Sequence, residues 1–400
     1  MSLILKLGNL RKNPFLKPLA TIVATSVLLL SFAVDKARLD RVGPLVALFM
    51  LLAVTQNHQL ITKAWKSLLT PFLPFVIGLL LLSPFQSTAA TSYLMAALAG
   101  LYVVARGLKA FLPLHIFLIS ISIFGLFSGL ISMLNHYGAV EGTVVLDLYV
   151  RFGEKNPTGW ANAFGFVALF ILASRELQVA KKWILISTLL AASGLLLYSD
   201  SVTSVLGAYL GAAAVILIPV FSARREKEDR KELLGPAGLL IIPAVGGVAV
   251  LLANVFTFNW TGNLPVRRDF STATGRTAIW RCYLDSLESS LRGSWESTLS
   301  CLSPFEPAHL HNSFLEANLM GGPILVALLA FGLAWSLARG ILHSQLHEAP
   351  TVQFSGIVTL GLTLTTLIIG LAESAIYYPV ALTAFVLFFA APGFPGRKLQ

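Results

Sequence analysis

Apolar runs of membrane length recur along this chain and leave it few folds. Twelve segments read as candidate spans: Pro18–Val34, Val42–Thr55, Leu68–Pro84, Ala90–Ala105, Ala110–Leu134, Trp160–Ser174, Trp183–Tyr198, Val202–Phe221, Pro236–Thr257, Ser313–Ala338, Phe354–Gly370 and Tyr378–Ala391. Each crossing needs about 20 apolar residues. Inside hydrocarbon only a helix or a closed barrel satisfies its own backbone, and continuous rather than alternating apolar runs favour helices. Val42–Thr55 and Tyr378–Ala391 are short, so each is thin, tilted or partly re-entrant. Only 12% of the residues are charged and the mean hydropathy is +0.77, whereas a soluble domain carries about 25% charge. The predicted class is an all-α polytopic membrane protein of about 12 transmembrane helices. The basic start Met1–Lys17 is followed by an apolar run without a small-residue cleavage site, so the first helix is read as retained. There is no internal repeat.

Charge orients this plan. None of the 29 Lys and Arg residues falls inside a proposed span. With the N-terminus inside, 19 of the 29 lie on the inner side, and half of the remainder sit in one long loop. The orientation is therefore N-in and C-in. The net charge of +10 is a topology signal and not the mark of a nucleic-acid partner, because no basic face coincides with a recognition helix. The mixed run Ser222–Glu232 reads as a solvated connector. Trp65, Trp160, Trp183, Trp260 and Trp335 fall at or near span ends, where an interfacial aromatic belt belongs. Residues 1–257 thus carry helices one to nine with a small outer loop at 135–159. Residues 258–312 form a long outer loop, and 313–400 carry the last three helices.

Chemistry gathers in the long loop. Ile279, Trp280, Tyr283, Leu284, Leu287 and Leu291 recur at helical spacing, with Arg281, Asp285, Glu288 and Arg292 on other faces. That pattern predicts a helix over Thr274–Gly293 lying on the membrane surface, capped by Thr274 and stopped at Gly293. Arg276 falls in its first turn. A helix N-terminus offers free N–H groups and partial positive charge, and arginine binds phosphate bidentately, so Arg276 is a candidate anion ligand. A surface ion pair is the plainer reading of such an arginine, and it weighs more for Arg267 and Arg268. Arg151, in the smaller outer loop, is a further candidate.

Cys282 and Cys301 are the only cysteines and both lie on the proposed outer side, where oxidation is permitted. They are either a bridge closing the loop or two separate thiols. His309 and His311 stand just before the span at Ser313. Zinc needs three or four ligands, and no third His or Cys lies nearby, so no metal is expected. His311 is either a hydrogen-bonded cap or a general base, the latter suited by titration near neutrality. Asn312 follows it, and Glu316 and Asn318 lie a turn further on. Carboxylates there are costly unless they face protein or water, so Glu316 points to a hydrated cavity below His311. His115, after Pro113, reads as a polar contact inside the bundle. Trp280 and Trp295 are candidate sugar platforms or packing residues.

Four pieces follow one another along the chain. Lys155-Asn156-Pro157-Thr158-Gly159-Trp160-Ala161-Asn162 is an Asn-containing approach to a mid-chain span, and Ser199-Asp200-Ser201-Val202-Thr203-Ser204 is a short Ser/Thr turn between two spans. Thr274-Gly275-Arg276-Thr277-Ala278-Ile279-Trp280 carries Gly-Arg and Trp in the long loop, and His311-Asn312-Ser313-Phe314-Leu315 with Gly321-Gly322 enters the next span. In that order and topology they resemble the motifs of the O-antigen ligase/O-antigen polymerase superfamily of bacterial membrane glycan transferases. The chain departs by having Val202 or Thr203 where many members carry an arginine, and by a compressed glycine pattern after His311.

The resemblance implies a bacterial inner-membrane enzyme with its site on the periplasmic face. It would move a glycan from undecaprenyl pyrophosphate to an acceptor hydroxyl on lipid A-core or a similar lipid or glycan. It implies Arg276 on the pyrophosphate and His311 as base, with Arg267, Arg268, Arg151, His309, Asn312 and Glu316 about the substrate. It implies no cofactor and no metal. Repeat-unit polymerisation by the same superfamily, transport of a lipid or polysaccharide, and a purely structural membrane subunit are the alternatives. Transport predicts ionisable residues deep in several spans, where only His115, Glu316 and Glu373 come near.

Overall fold

The computed structural model describes residues 66–85, 89–136, 155–175, 178–197, 201–222, 280, 312–345, 350–373 and 382–393. Among these every regular element is helical: α1 (Leu73–Leu82), closed by a short 3-10 turn at Ser83–Phe85, α2 (Ala89–Phe111), α3 (Leu114–His136), α4 (Lys155–Arg175), α5 (Val179–Leu197), α6 (Val202–Ser222), α7 (Ser313–Ser344), α8 (Pro350–Ala372) and α9 (Leu382–Ala390). Among the described residues four stretches are long and apolar enough to cross a membrane: Leu114–Asn135, Val179–Leu196, Ser313–Ser344 and Pro350–Leu371. The proposed spans Pro18–Val34, Val42–Thr55 and Pro236–Thr257 lie outside the described residues.

The bundle is built around α4. Every residue from Thr158 to Ile171 is buried, and α4 packs on α3, α5, α6, α8 and α9. A helix apolar on all sides belongs in such an interior. Small residues bring the backbones together, as in membrane bundles where hydrophobicity itself does not drive helices onto one another. A Cβ on Gly125 would lie 2.7 Å from both the Ala161 carbonyl and the Gly165 Cα, so α3 and α4 touch backbone to backbone. On the other flank Thr365 of α8 donates to the Gly207 carbonyl of α6 at 3.1 Å. α5 is the peripheral helix. Trp183 and Ile184 on it are 54% and 65% exposed, a surface suited to lipid.

The described part of α9 is nine residues long. That is about 14 Å, half of a ~30 Å hydrocarbon core. All nine side chains are buried, so the helix is sheathed in protein. Phe388 meets Tyr102 edge-on at 5.3 Å, and Phe389 stacks on Phe117 at 3.8 Å. Leu382–Ala390, the described part of the expected span Tyr378–Ala391, is therefore an internal helix.

Two expectations are corrected. Trp160 is 2% exposed and lies within α4: it is a core residue, not an interfacial anchor, because α4 begins five residues earlier than the apolar run. His115 is exposed in the first turn of α3. Pro113 starts that helix and does not kink its middle, so His115 is not an interior contact. Trp335 is half-buried beneath the Arg339 guanidinium, 5.4 Å from the ring centroid.

Candidate functional site

Asn312 opens the site. Its backbone is extended, and its side-chain oxygen accepts from Phe314 N at 2.9 Å and Leu315 N at 3.1 Å. That is an N-cap, supplying acceptors for donors which the first turn of a helix leaves unpaired. The same side chain donates through Nδ2 to the Leu371 carbonyl, 2.7 Å away near the end of α8. Ser313 beside it donates to the Glu373 carbonyl at 2.9 Å. The start of α7 is thus fastened to the end of α8. Gly370 allows this: a Cβ there would lie 3.2 Å from Ser313 Oγ.

The third element is the Ser/Thr turn. Ser201 precedes α6, and its hydroxyl lies 2.7 Å from that of Ser204 and 3.4 Å from that of Thr203. Thr203 donates to the Glu373 carboxylate at 3.5 Å. Two helix N-termini, of α6 and α7, therefore meet one helix C-terminus at a buried carboxylate. Glu373 is 3% exposed and Glu316, in the first turn of α7, is 2% exposed. Helix N-termini carry partial positive charge and favour anions beside them. This arrangement can fix hydroxyls through carboxylate and serine acceptors and can balance negative charge through helix ends.

Asn312 and Glu316 are the expected site residues that the structure describes, and both belong to this cluster's helix. His311, His309, Arg276, Arg267, Arg268, Arg151, Cys282 and Cys301 lie outside the described residues. So does the surface helix Thr274–Gly293 apart from Trp280, which is helical and half-buried. Among the described residues no three His, Cys, Asp or Glu side chains gather to hold a metal. Ser313, Thr203 and Glu373 join the site without having been singled out for it. The available signal was an acid and a hydroxyl each placed at the mouth of an apolar run.

The Lys155–Asn162 motif forms the first two turns of α4. Ser128 donates to the Thr158 carbonyl at 3.0 Å and Ser132 to its hydroxyl at 2.9 Å. Asn162, one turn on, is fully buried with neither amide atom hydrogen-bonded. It fills the space over Gly129, where a Cβ would come within 2.7 Å of its Nδ2.

α7 is interrupted below the site. Gly321 has φ −150, ψ 19 and Gly322 has φ 67, ψ −169, after which Pro323 begins the second helical segment. Proline lacks the N–H that would bond back one turn, and its fixed φ suits the first turn of a helix. The residue before it must leave the helical region.

Neither a protein-family model nor a curated protein sequence matches this chain.

Proposed function

We propose that the chain is a glycan transferase of the O-antigen ligase/polymerase kind. It would move a glycan from undecaprenyl pyrophosphate to an acceptor hydroxyl at the outer face of a bacterial inner membrane. The observation that carries the reading is the junction at Glu373. It ties the Ser201–Ser204 turn to the Asn312–Ser313 segment through Thr203 and Ser313. Two of the four motif pieces, over a hundred residues apart, thus share one end of the bundle. In this reading about twelve helices run N-in and C-in, and residues 258–312 stand over that end as a periplasmic loop.

The step balances simply. The acceptor oxygen bonds to the anomeric carbon as the bond from that carbon to the phosphate oxygen breaks. The hydroxyl proton passes to His311, and undecaprenyl pyrophosphate leaves with Arg276 neutralising its charge. Asn312 caps the helix that follows His311, so the base would stand on a fixed stem. A loop closed over the sugars excludes water and favours transfer over hydrolysis. Transport finds less support: among the described residues the buried charged side chains are Arg106, Glu316 and Glu373, of which Glu316 lies in the first turn of α7, Glu373 just beyond α8 and Arg106 in the last two turns of α2.

The test is a reconstituted transfer assay. One arm offers a defined undecaprenyl-pyrophosphate oligosaccharide with a lipid A-core acceptor, and the other offers donor alone. Product on the acceptor is expected, and lengthening of the donor alone would make the enzyme a polymerase. His311→Ala and Arg276→Ala should each lower turnover at least about a hundredfold. Turnover unchanged in both variants would overturn the assigned roles.

A further inference from the structure

At the other end of the bundle, two cations from α2 meet the C-terminus of α9. Thr359 of α8 donates to the Ala390 carbonyl at 2.8 Å, which sets that end about 20 Å along α8 from Glu373. Arg106 is 2% exposed. Its Nε donates to the Ser67 carbonyl at 2.6 Å, and its Nη1 to the Phe388 and Ala391 carbonyls at 3.1 and 2.7 Å. Lys109, half-buried one turn on, donates through Nζ to the Ala390 and Ala391 carbonyls at 3.2 and 2.7 Å.

Every one of these acceptors is a neutral carbonyl. The last carbonyls of a helix together carry about half a negative charge, and two basic side chains converge on them here. Among the described residues no carboxylate pairs with either cation, although buried charges are ordinarily paired. One cation would cap the helix, and the second is in excess. Both reach the same Ala391 oxygen, so a single anion can span them. Among the described residues these bonds engage Nε and Nη1 of Arg106 and the Lys109 ammonium, and none engages the Nη2 edge.

We propose that Arg106 and Lys109 form a phosphate site filled by the headgroup of an anionic phospholipid. Apolar surface flanks the pair where acyl chains would lie: Leu69 is 51% exposed and Val103, one turn before Arg106, is 47% exposed. Exposed Lys66 adds a further cation beside Ser67. The site is independent of the glycan chemistry.

The test uses the full chain in neutral detergent, followed by native mass spectrometry and thermal unfolding. Phosphatidylglycerol, phosphatidylcholine and inorganic phosphate are added separately. Phosphatidylglycerol should remain bound and raise the unfolding midpoint, with phosphatidylcholine weaker. Lys109→Gln keeps a donor for the Ala391 carbonyl while losing the charge, and should bind phosphatidylglycerol about fivefold more weakly. Arg106→Lys keeps the charge but loses the Nη2 edge. It should also bind more weakly, and it is the variant to read should K109Q yield no folded protein. Stabilisation by inorganic phosphate that K109Q abolishes would keep the phosphate site and overturn the lipid as its source. Equal binding of the two lipids, or phosphatidylglycerol binding unchanged in both variants, would overturn the site and leave the pair as a helix cap.

Discussion

Among the described residues Gly322 is the one whose identity the backbone fixes most strictly. Its φ of 67 with ψ −169 lies in a region that only glycine enters without strain. Gly322→Ala should cost about 1–3 kcal/mol, read as a lowered unfolding midpoint in detergent. Asn312 permits a finer experiment. Asn312→Ala loses both cap acceptors and the bond to Leu371 and should cost about 1–2 kcal/mol. Asn312→Asp keeps the acceptors but sets a carboxylate against the Leu371 carbonyl. If the cap dominates, Asp should recover most of the midpoint lost by Ala. If the tether to α8 dominates, Asp should be no better. The sequence already marked Asn312 and Glu316, because a polar pair at the mouth of an apolar run has a local meaning. Glu373 stands at the mouth of an apolar run too, but that position names no partner. Its partner Thr203 is 170 residues away, and no periodicity records a meeting of that kind.

At the scale of elements, α3 and α4 meet backbone to backbone. A methyl group on Gly125 has nowhere to go but into the Ala161 carbonyl and the Gly165 Cα. Gly125→Ala should therefore part the two helices and lower both folded yield and midpoint by several degrees. Gly194 of α5 is the control, since a Cβ there meets nothing within 4 Å. Gly194→Ala should be neutral, or should stabilise by about 0.5–1 kcal/mol through helix propensity. Equal damage by both substitutions would mean that the close approach is not what matters. Hydropathy read the existence of these helices well, because a run such as Leu114–Asn135 is apolar in itself. Their ends were harder. The apolar run Ala90–Ala105 leaves Arg106 in a connector, yet α2 continues to Phe111 and carries it inside. An arginine is admitted there by carbonyls contributed from the other end of the chain, and a hydropathy window does not see those.

For the whole molecule, the inside-positive charge distribution predicts which side each loop faces. With the proposed orientation, Cys282 and Cys301 lie outside the membrane. An impermeant maleimide should label both in intact cells after mild reduction, and fewer without it if they are bridged. Labelling only after the membrane is opened would reverse the orientation and with it the proposed side of catalysis. The Glu373 junction and the Arg106 clamp then fall to opposite leaflets, so variants of one should leave the other's readout unchanged.

The clamp also sets a clock on synthesis. Arg106 is made 282 residues before the Phe388 carbonyl that it holds. At about 5–20 residues per second, the ribosome leaves that guanidinium without its final acceptors for on the order of 15–60 s. Through that interval the Ser67 carbonyl, already made, is the one of its described acceptors within reach. The guanidinium is fully clamped when α9, the last described helix, arrives.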